Sequence, residues 1–223
     1  EIGPGLGALT KPLLEKTNRL LAIELDRDIV SWMENEYSKK NITIFNEDVL
    51  NFNFNQFDQK IRIVGNLPYN ISTPILFKCI DNILNIKDLH FMLQKEVVDR
   101  MVAKVGDSEY GRLSVMLGAR YQIEHCFDVP PESFDPPPKV NSAIVAMYPK
   151  RGAGISAAVW SAMEILVAKA FAQRRKVLAN NLGDYKQILD LDGSILRARA
   201  QEISIEQYLL WAEQIVDRSG TDK

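Results

Sequence analysis

Short runs of β-branched and aliphatic residues alternate with helical patterns through the first two-thirds of the chain. "RLLAIEL" (19–25) precedes the helical "RDIVSWMENEYSKK" (27–40), and "ITIF" (42–45) follows it. "IRIVG" (61–65) precedes "TPILFKCIDNIL" (73–84), and "LHFML" (89–93) precedes "QKEVVDRMVAKV" (94–105). This rhythm predicts a parallel sheet with helices on both faces. Two further strand-like runs, "QIEHCFDV" (122–129) and "SAIVAMY" (142–148), have only the Pro-rich "PPESFDPPPKVN" between them. They predict an antiparallel pair at the sheet edge. After Pro149 the pattern becomes helical, in "AAVWSAMEILVAKAFAQRRKVLANNL" (157–182) and "SIEQYLLWAEQIV" (204–216), with Gly183 and Gly193 as punctuation. The expected organisation is an α/β domain over 1–150 and a small all-α domain over 151–223.

Composition narrows the classes. Of 223 residues, 46% are hydrophobic and 25% charged, enough apolar material for a core in one medium domain and a smaller one. Every apolar run is interrupted well short of the about 20 residues that span a bilayer, so no membrane role is expected. Cys79 and Cys126 lie far apart without CxxC spacing, which fits a reducing compartment and a cytoplasmic location. With only His90 and His125 besides, no metal site is expected. The net charge of -2 gives no global basic field, so any nucleic-acid contact must come from local patches. The chain opens on Glu1 with residues that read as the end of a strand, and an N-terminal piece is expected ahead of it.

Four strand ends carry polar signals. In "EIGPGLGALT", Gly3, Gly5 and Gly7 let backbone approach a ligand closely before a helix begins, although such turns also occur where helix and strand simply pack tightly. The carboxylate of Glu1 would repel a pyrophosphate and suit an ammonium or sulfonium group. Glu24, about 20 residues beyond the glycines, stands where this kind of fold places an acceptor for ribose hydroxyls. Asp48, in "FNEDVL", ends the next strand, where a carboxylate can accept from an adenine amino group. Leu25 and Val49 flank these acids and complete the candidate cofactor set with Asn66. Either acid alone would read as a helix cap or a solvated charge; together beside a glycine turn they describe a nucleoside pocket.

The strand run 61–65 ends in "NLPY". Asn66 offers a side-chain carbonyl, Leu67 a main-chain carbonyl held by Pro68, and Tyr69 a flat face. Two carbonyls out of the plane of a nucleobase would draw the hydrogens of its exocyclic amine aside, favour a pyramidal nitrogen and restore its lone pair as a nucleophile. Stacking on an aromatic ring is worth about 1–3 kcal/mol per base. In-line positioning against an activated methyl group can supply about 7–11 kcal/mol of a barrier, with no base or metal required beforehand.

These segments, with "HFMLQKEVVDRM", "YGRLSVML", "PPESFDPPPKVNSA" and "FAQRRK", resemble in order and spacing the motifs of the KsgA-type rRNA adenine N6-dimethyltransferases, over almost the whole chain. The resemblance implies a Rossmann-like, class I S-adenosylmethionine-dependent methyltransferase sheet with a small helical domain. It implies two methyl transfers to each of two adjacent adenosines near the 3′ end of small-subunit rRNA, with S-adenosylhomocysteine as product and a role in small-subunit biogenesis. Carried over by motif, Gly3 and Gly5 face the methionine end of the cofactor, Glu24 its ribose and Asp48 its adenine. Asn66 and Leu67 receive the target amine, Tyr69 stacks on the target base, and Phe134 is the second aromatic. The family's basic N-terminal segment, with its Gln-His-Phe-Leu-like motif, has no counterpart ahead of Glu1.

Arg174, Arg175 and Lys176 are candidates to grip RNA phosphates, as are Lys95, Arg100, Lys104 and Arg112, although charge runs are commonly solvated faces. A buried target base must also be turned out of its stack. The expected partner is small-subunit rRNA, free or in a pre-30S particle, and the protein is expected to be a monomer that does not act on DNA. The competing readings are an erythromycin-resistance type methylase of large-subunit rRNA and a non-catalytic RNA-binding assembly factor.

Overall fold

A computed structural model describes residues 1–151, 154–189 and 191–220. In chain order the regular elements open with α1 (Thr10–Lys16), β1 (Leu20–Glu24), α2 (Arg27–Glu36), β2 (Ile42–Asn46), β3 (Ile61–Asn66) and α3 (Ser72–Asp81). They continue with β4 (Ile86–Gln94), α4 (Lys95–Val102), α5 (Arg112–Arg120), β5 (Tyr121–Val129) and β6 (Ser142–Pro149). The helices α6 (Ala157–Ala170), α7 (Leu178–Leu182), α8 (Tyr185–Ile188), α9 (Gly193–Arg197) and α10 (Ile205–Gly220) follow.

The chain divides into two units: Glu1–Val98 with Glu124–Pro149, and Asp99–Ile123 with the residues from Lys150 onward. Sequence periodicity puts the break at 150 alone, whereas residues 99–123, including α5, pack with the C-terminal helices. Residues 152, 153, 190 and 221–223 of the expected helical domain lie outside the described residues.

In the first unit β1 and β2 pair in parallel, and β3, β4, β6 and β5 form a four-stranded sheet in that order. β3 runs parallel to β4, while β6 lies antiparallel to β4 and separates it from β5 at the edge. The two pieces are joined by Glu1–Gly3: Ile2 N–H donates to Val64 O at 2.9 Å, Ile23 N–H to Glu1 O at 3.0 Å and Gly3 N–H to Ile23 O at 3.0 Å. Period-2 alternation positions β4, where Leu89, Phe91 and Leu93 are buried. Ile75, Leu76, Cys79 and Ile80 give α3 a fully buried face. Phe45, Phe52 and Phe54 pack edge to face below β2, with ring centroids 5.1 and 5.2 Å apart.

In the second unit α10 packs on α6 and α5. Tyr208, Trp211, Met163, Leu166 and Val167 are buried there. A Cβ at Gly118 would stand 2.6 Å from Ile205 Cδ1, which explains a glycine inside α5. The helical pattern over 157–182 is broken: α6 ends at Ala170 and α7 begins at Leu178, with turns between. Asn181 Nδ2 donates to Ala170 O at 2.7 Å and Gln173 O at 3.2 Å, and the Phe171 ring packs against Tyr110 and Tyr208. These local bonds replace the lost helical ones.

Candidate active site

The carboxyl ends of β1, β2 and β3 and the glycine turn meet at one edge of the first unit. Gly3, Gly5 and Gly7 all take positive φ, at 62, 52 and 80°. Gly5 has open space where a Cβ would point, so its backbone stands clear for a ligand. At Gly7 a Cβ would meet Tyr37 Oη at 2.3 Å, which makes glycine a packing necessity. The helix after the turn starts only at Thr10, so the loop backbone itself, rather than a helix end, stands beside Glu24.

Glu24 is oriented by three backbone donors. Its Oε1 accepts from Leu25 N–H at 2.8 Å and Asp26 N–H at 3.0 Å, and its Oε2 from Gly5 N–H at 3.3 Å. A carboxylate has about four acceptor positions, so acceptor capacity remains for a ligand. Asn46 ties the same turn from the next strand: its Nδ2 donates to Glu24 O and Leu25 O, each at 3.0 Å. Asp48 is half-buried, with Oδ1 accepting from Leu50 N–H at 2.9 Å. Val49 beside it is buried, and Leu25 is 67% exposed. Glu1 is buried, and its Oε2 accepts from Thr10 Oγ1 at 2.7 Å. Loss of solvation pushes its carboxyl above the usual carboxylate range, against the opposing pull of that hydrogen bond.

β3 delivers the reacting turn to this edge. A Cβ at Gly3 would lie 4.0 Å from Pro68 Cδ, which sets the glycine turn against "NLPY". Leu67 is buried and anchors the turn through its N–H to Met92 O at 3.2 Å, while its carbonyl accepts no hydrogen bond from the described residues. Asn66 is exposed, and its amide bonds to no other described residue. Tyr69 is held at two points: Ser72 Oγ donates to its carbonyl at 3.1 Å, and its hydroxyl lies 2.7 Å from Ser142 Oγ. Phe134 is half-buried, after the 3₁₀ turn Pro131–Ser133. A cavity of about 610 Å³ between β1 and β3, lined by Leu20, Ile23, Phe52, Phe54, Ile61 and Ile63, shares only Glu1 with these residues.

The structure therefore brings together Gly3, Gly5, Glu24, Asn66, Leu67 and Pro68, while Asp48 stands two residues beyond Asn46, the partner of Glu24 in β2. Sequence reasoning missed Asn46, Thr10, Tyr37 and Ser142, which stand against Glu24, Glu1, Gly7 and Tyr69 in turn. Asn46 stands two positions before Asp48, and Ser142 lies within "PPESFDPPPKVNSA"; neither position reveals its partner.

The candidate RNA contacts lie in different places. Lys95, in the first unit, has Nζ 3.6 Å from Asp128 Oδ1. In the second unit Arg100 Nε lies 3.9 Å from Glu109 Oε2, and Lys104 and Arg112 are exposed. Arg174 Nη2 donates to Ser108 O at 2.6 Å and Tyr110 O at 3.0 Å. Arg175 and Lys176 are exposed, with no side-chain bond to another described residue.

The residues fit a bound S-adenosylmethionine: an open glycine backbone, an oriented carboxylate at the end of β1 and a second acid two residues past the end of β2. The fold is that of the class I S-adenosylmethionine-dependent methyltransferases. Residues 1–217 match the family described as Ribosomal RNA adenine dimethylase, and the chain belongs to that family. It is 47% identical over 97% of its length to the Ribosomal RNA small subunit methyltransferase A of Bordetella bronchiseptica, covering 82% of that protein. It is 51% identical to the protein of that name from Nitrosospira multiformis, covering 94% of this chain and 82% of the relative. Among solved structures, a dimethyladenosine transferase from Plasmodium falciparum superposes with a TM-score of 0.81 at 25% identity, covering 98% of this chain and 89% of the other.

Proposed function

We propose that the protein transfers methyl groups from S-adenosylmethionine to N6 of adenosines in small-subunit ribosomal RNA, giving N6,N6-dimethyladenosine. The observation that carries this reading is the Asn66 amide and Leu67 carbonyl at the end of β3, unbonded among the described residues and set against the glycine turn. Glu24 would hold the cofactor's ribose, Asp48 its adenine, and the backbone at Gly3 and Gly5 its methionine end. When bound, the cofactor supplies an electrophilic methyl group. Asn66 Oδ1 and Leu67 O would accept both hydrogens of the adenine amine and turn its lone pair toward the methyl carbon. Tyr69 and Phe134 would hold the base between them. The Tyr69 hydroxyl is engaged with Ser142; the proton released from the methylated nitrogen would pass to solvent.

The motif resemblance extends the proposal to two adjacent adenosines near the 3′ end of that RNA, in free or assembling particles, by a cytoplasmic monomer. Among the candidate phosphate contacts, Lys104, Arg175 and Lys176 are exposed with no side-chain bond to another described residue. The preference for the small subunit is supported by the names of the relatives at 47 and 51% identity. Incubation with methyl-labelled S-adenosylmethionine and unmethylated small-subunit RNA, followed by nucleoside mass spectrometry, tests it. Dimethyladenosine at two adjacent positions is expected. Label confined to large-subunit RNA, or none, would overturn the reading.

A further inference from the structure

We infer that Ser142 is a positioning residue for Tyr69, and that the Tyr69 hydroxyl serves as a tether rather than as an acid or base. This rests on the reading of Tyr69 as the platform for the target base. Ser142 opens β6 opposite Gln94 of β4 and has no exposed surface, so its hydroxyl is fixed in the sheet. Its Oγ lies 2.7 Å from Tyr69 Oη, a distance typical of a well-formed O–H···O bond. At the other end of the residue, the buried Ser72 of α3 holds the Tyr69 carbonyl. Tyr69 is thus pinned from two elements, at its hydroxyl and at its carbonyl, and the residue is half-buried.

The phenolic oxygen lies on the axis about which the ring flips. The Ser142 bond therefore fixes the direction of that axis and leaves the plane to packing. A phenylalanine would present the same stacking face but could swing to another staggered χ1. A tyrosine in "NLPY" is then explained by a partner 73 residues away in sequence. The ring is ordered before any base arrives, which favours transfer geometry over bare RNA affinity.

The test uses single-turnover methylation of small-subunit RNA, with RNA affinity measured separately by filter binding. S142A and Y69F should each slow transfer by about 3- to 10-fold, the size of one net hydrogen bond. RNA Kd should stay within about twofold, because phosphate contacts dominate it. The double variant should be no slower than either single one, since both remove the same bond. S142T, which restores the hydroxyl, should recover part of the rate. Transfer by Y69F at the wild-type rate, or losses that multiply in the double variant, would overturn the inference. Should S142A fail to fold, Y69F alone decides it. Absence of transfer by the wild-type protein would instead strike the proposed function.

Discussion

At the sheet edge of the first unit, Glu24 and Asn66 end strands β1 and β3, yet the carboxylate of one is bound by three backbone N–H groups while the side-chain amide of the other bonds to no other described residue. In the turns at 171–176 of the second unit, Arg174 is drawn onto two carbonyls while Arg175 and Lys176 extend into solvent. The cationic turn separates a residue that shapes the loop from two left for a ligand, and the sheet edge separates an acceptor oriented in advance from one left unbonded by the described residues. Oriented acceptors suit a group that must be held. Free ones suit a group whose hydrogens must be drawn out of plane during reaction.

The largest effect that would sharpen this division belongs to Asn66. Asn66→Ala removes an acceptor used in the transition state and nothing that the fold uses, so transfer should slow by about 10²–10³. Cofactor affinity should fall far less than the rate, and the thermal midpoint should barely change. Equal losses in cofactor binding and in rate would erase the distinction between holding and reacting groups. Next comes Glu24→Ala. Loss of a charged acceptor for ribose hydroxyls, at about 1.5–3 kcal/mol, should weaken S-adenosylmethionine binding by roughly 10- to 100-fold by calorimetry. The rate at saturating cofactor should fall much less, and a large loss there would place Glu24 among the reacting groups.

How much of this was legible in sequence follows the same line. The alternation through residue 105 announces a parallel sheet because buried parallel strands need unbroken apolar runs, and the polar strand ends stand out against them. The edge placement of β5 is legible for the same reason. The break in 157–182 is hidden because Ala, Gln, Arg and Lys all favour helix; the bonds from Asn181 and Arg174 and the packing of Phe171 accompany it. The grouping of α5 with the C-terminal helices depends on Gly118 meeting Ile205, a contact 87 positions apart in sequence, and no periodicity encodes it. Ser142 and Asn46 were missed on similar grounds: their partners are set by strand register, which the local pattern does not reveal.

The cationic turn offers a smaller test. Arg175→Ala and Lys176→Ala should each weaken RNA binding and lower the slope of log affinity against log salt by about 1, without altering stability. Arg174→Ala should do the reverse. Its two carbonyl bonds are worth about 1–2 kcal/mol together, read as a lower unfolding midpoint at an unchanged salt slope. A salt slope that responds to Arg174 as strongly as to Arg175 would merge the two classes.

The smallest effect should come from Asp192, a group engaged by the first residues of its own helix in the second unit. Its Oδ1 accepts from Ser194 N–H at 2.7 Å, Ile195 N–H at 2.9 Å and Ser194 Oγ at 2.6 Å, capping α9. The Ser194 hydroxyl first, then the two amides, hold its carboxyl below the usual carboxylate range. A depressed carboxylate stabilises the fold above its unfolded value of 3.8 and ceases to do so as the pH falls through its lower folded value. Asp192→Ala should therefore lower the thermal midpoint slightly at neutral pH, and the gap from wild type should close below about pH 3.8. Methyl transfer should be unaffected at both saturating RNA and saturating cofactor. A gap that persisted at acid pH would mean that the aspartate acts through packing rather than charge. A loss of transfer would show that α9 supports the site, and that holding and acting groups are not separable in the second unit as they are at the sheet edge.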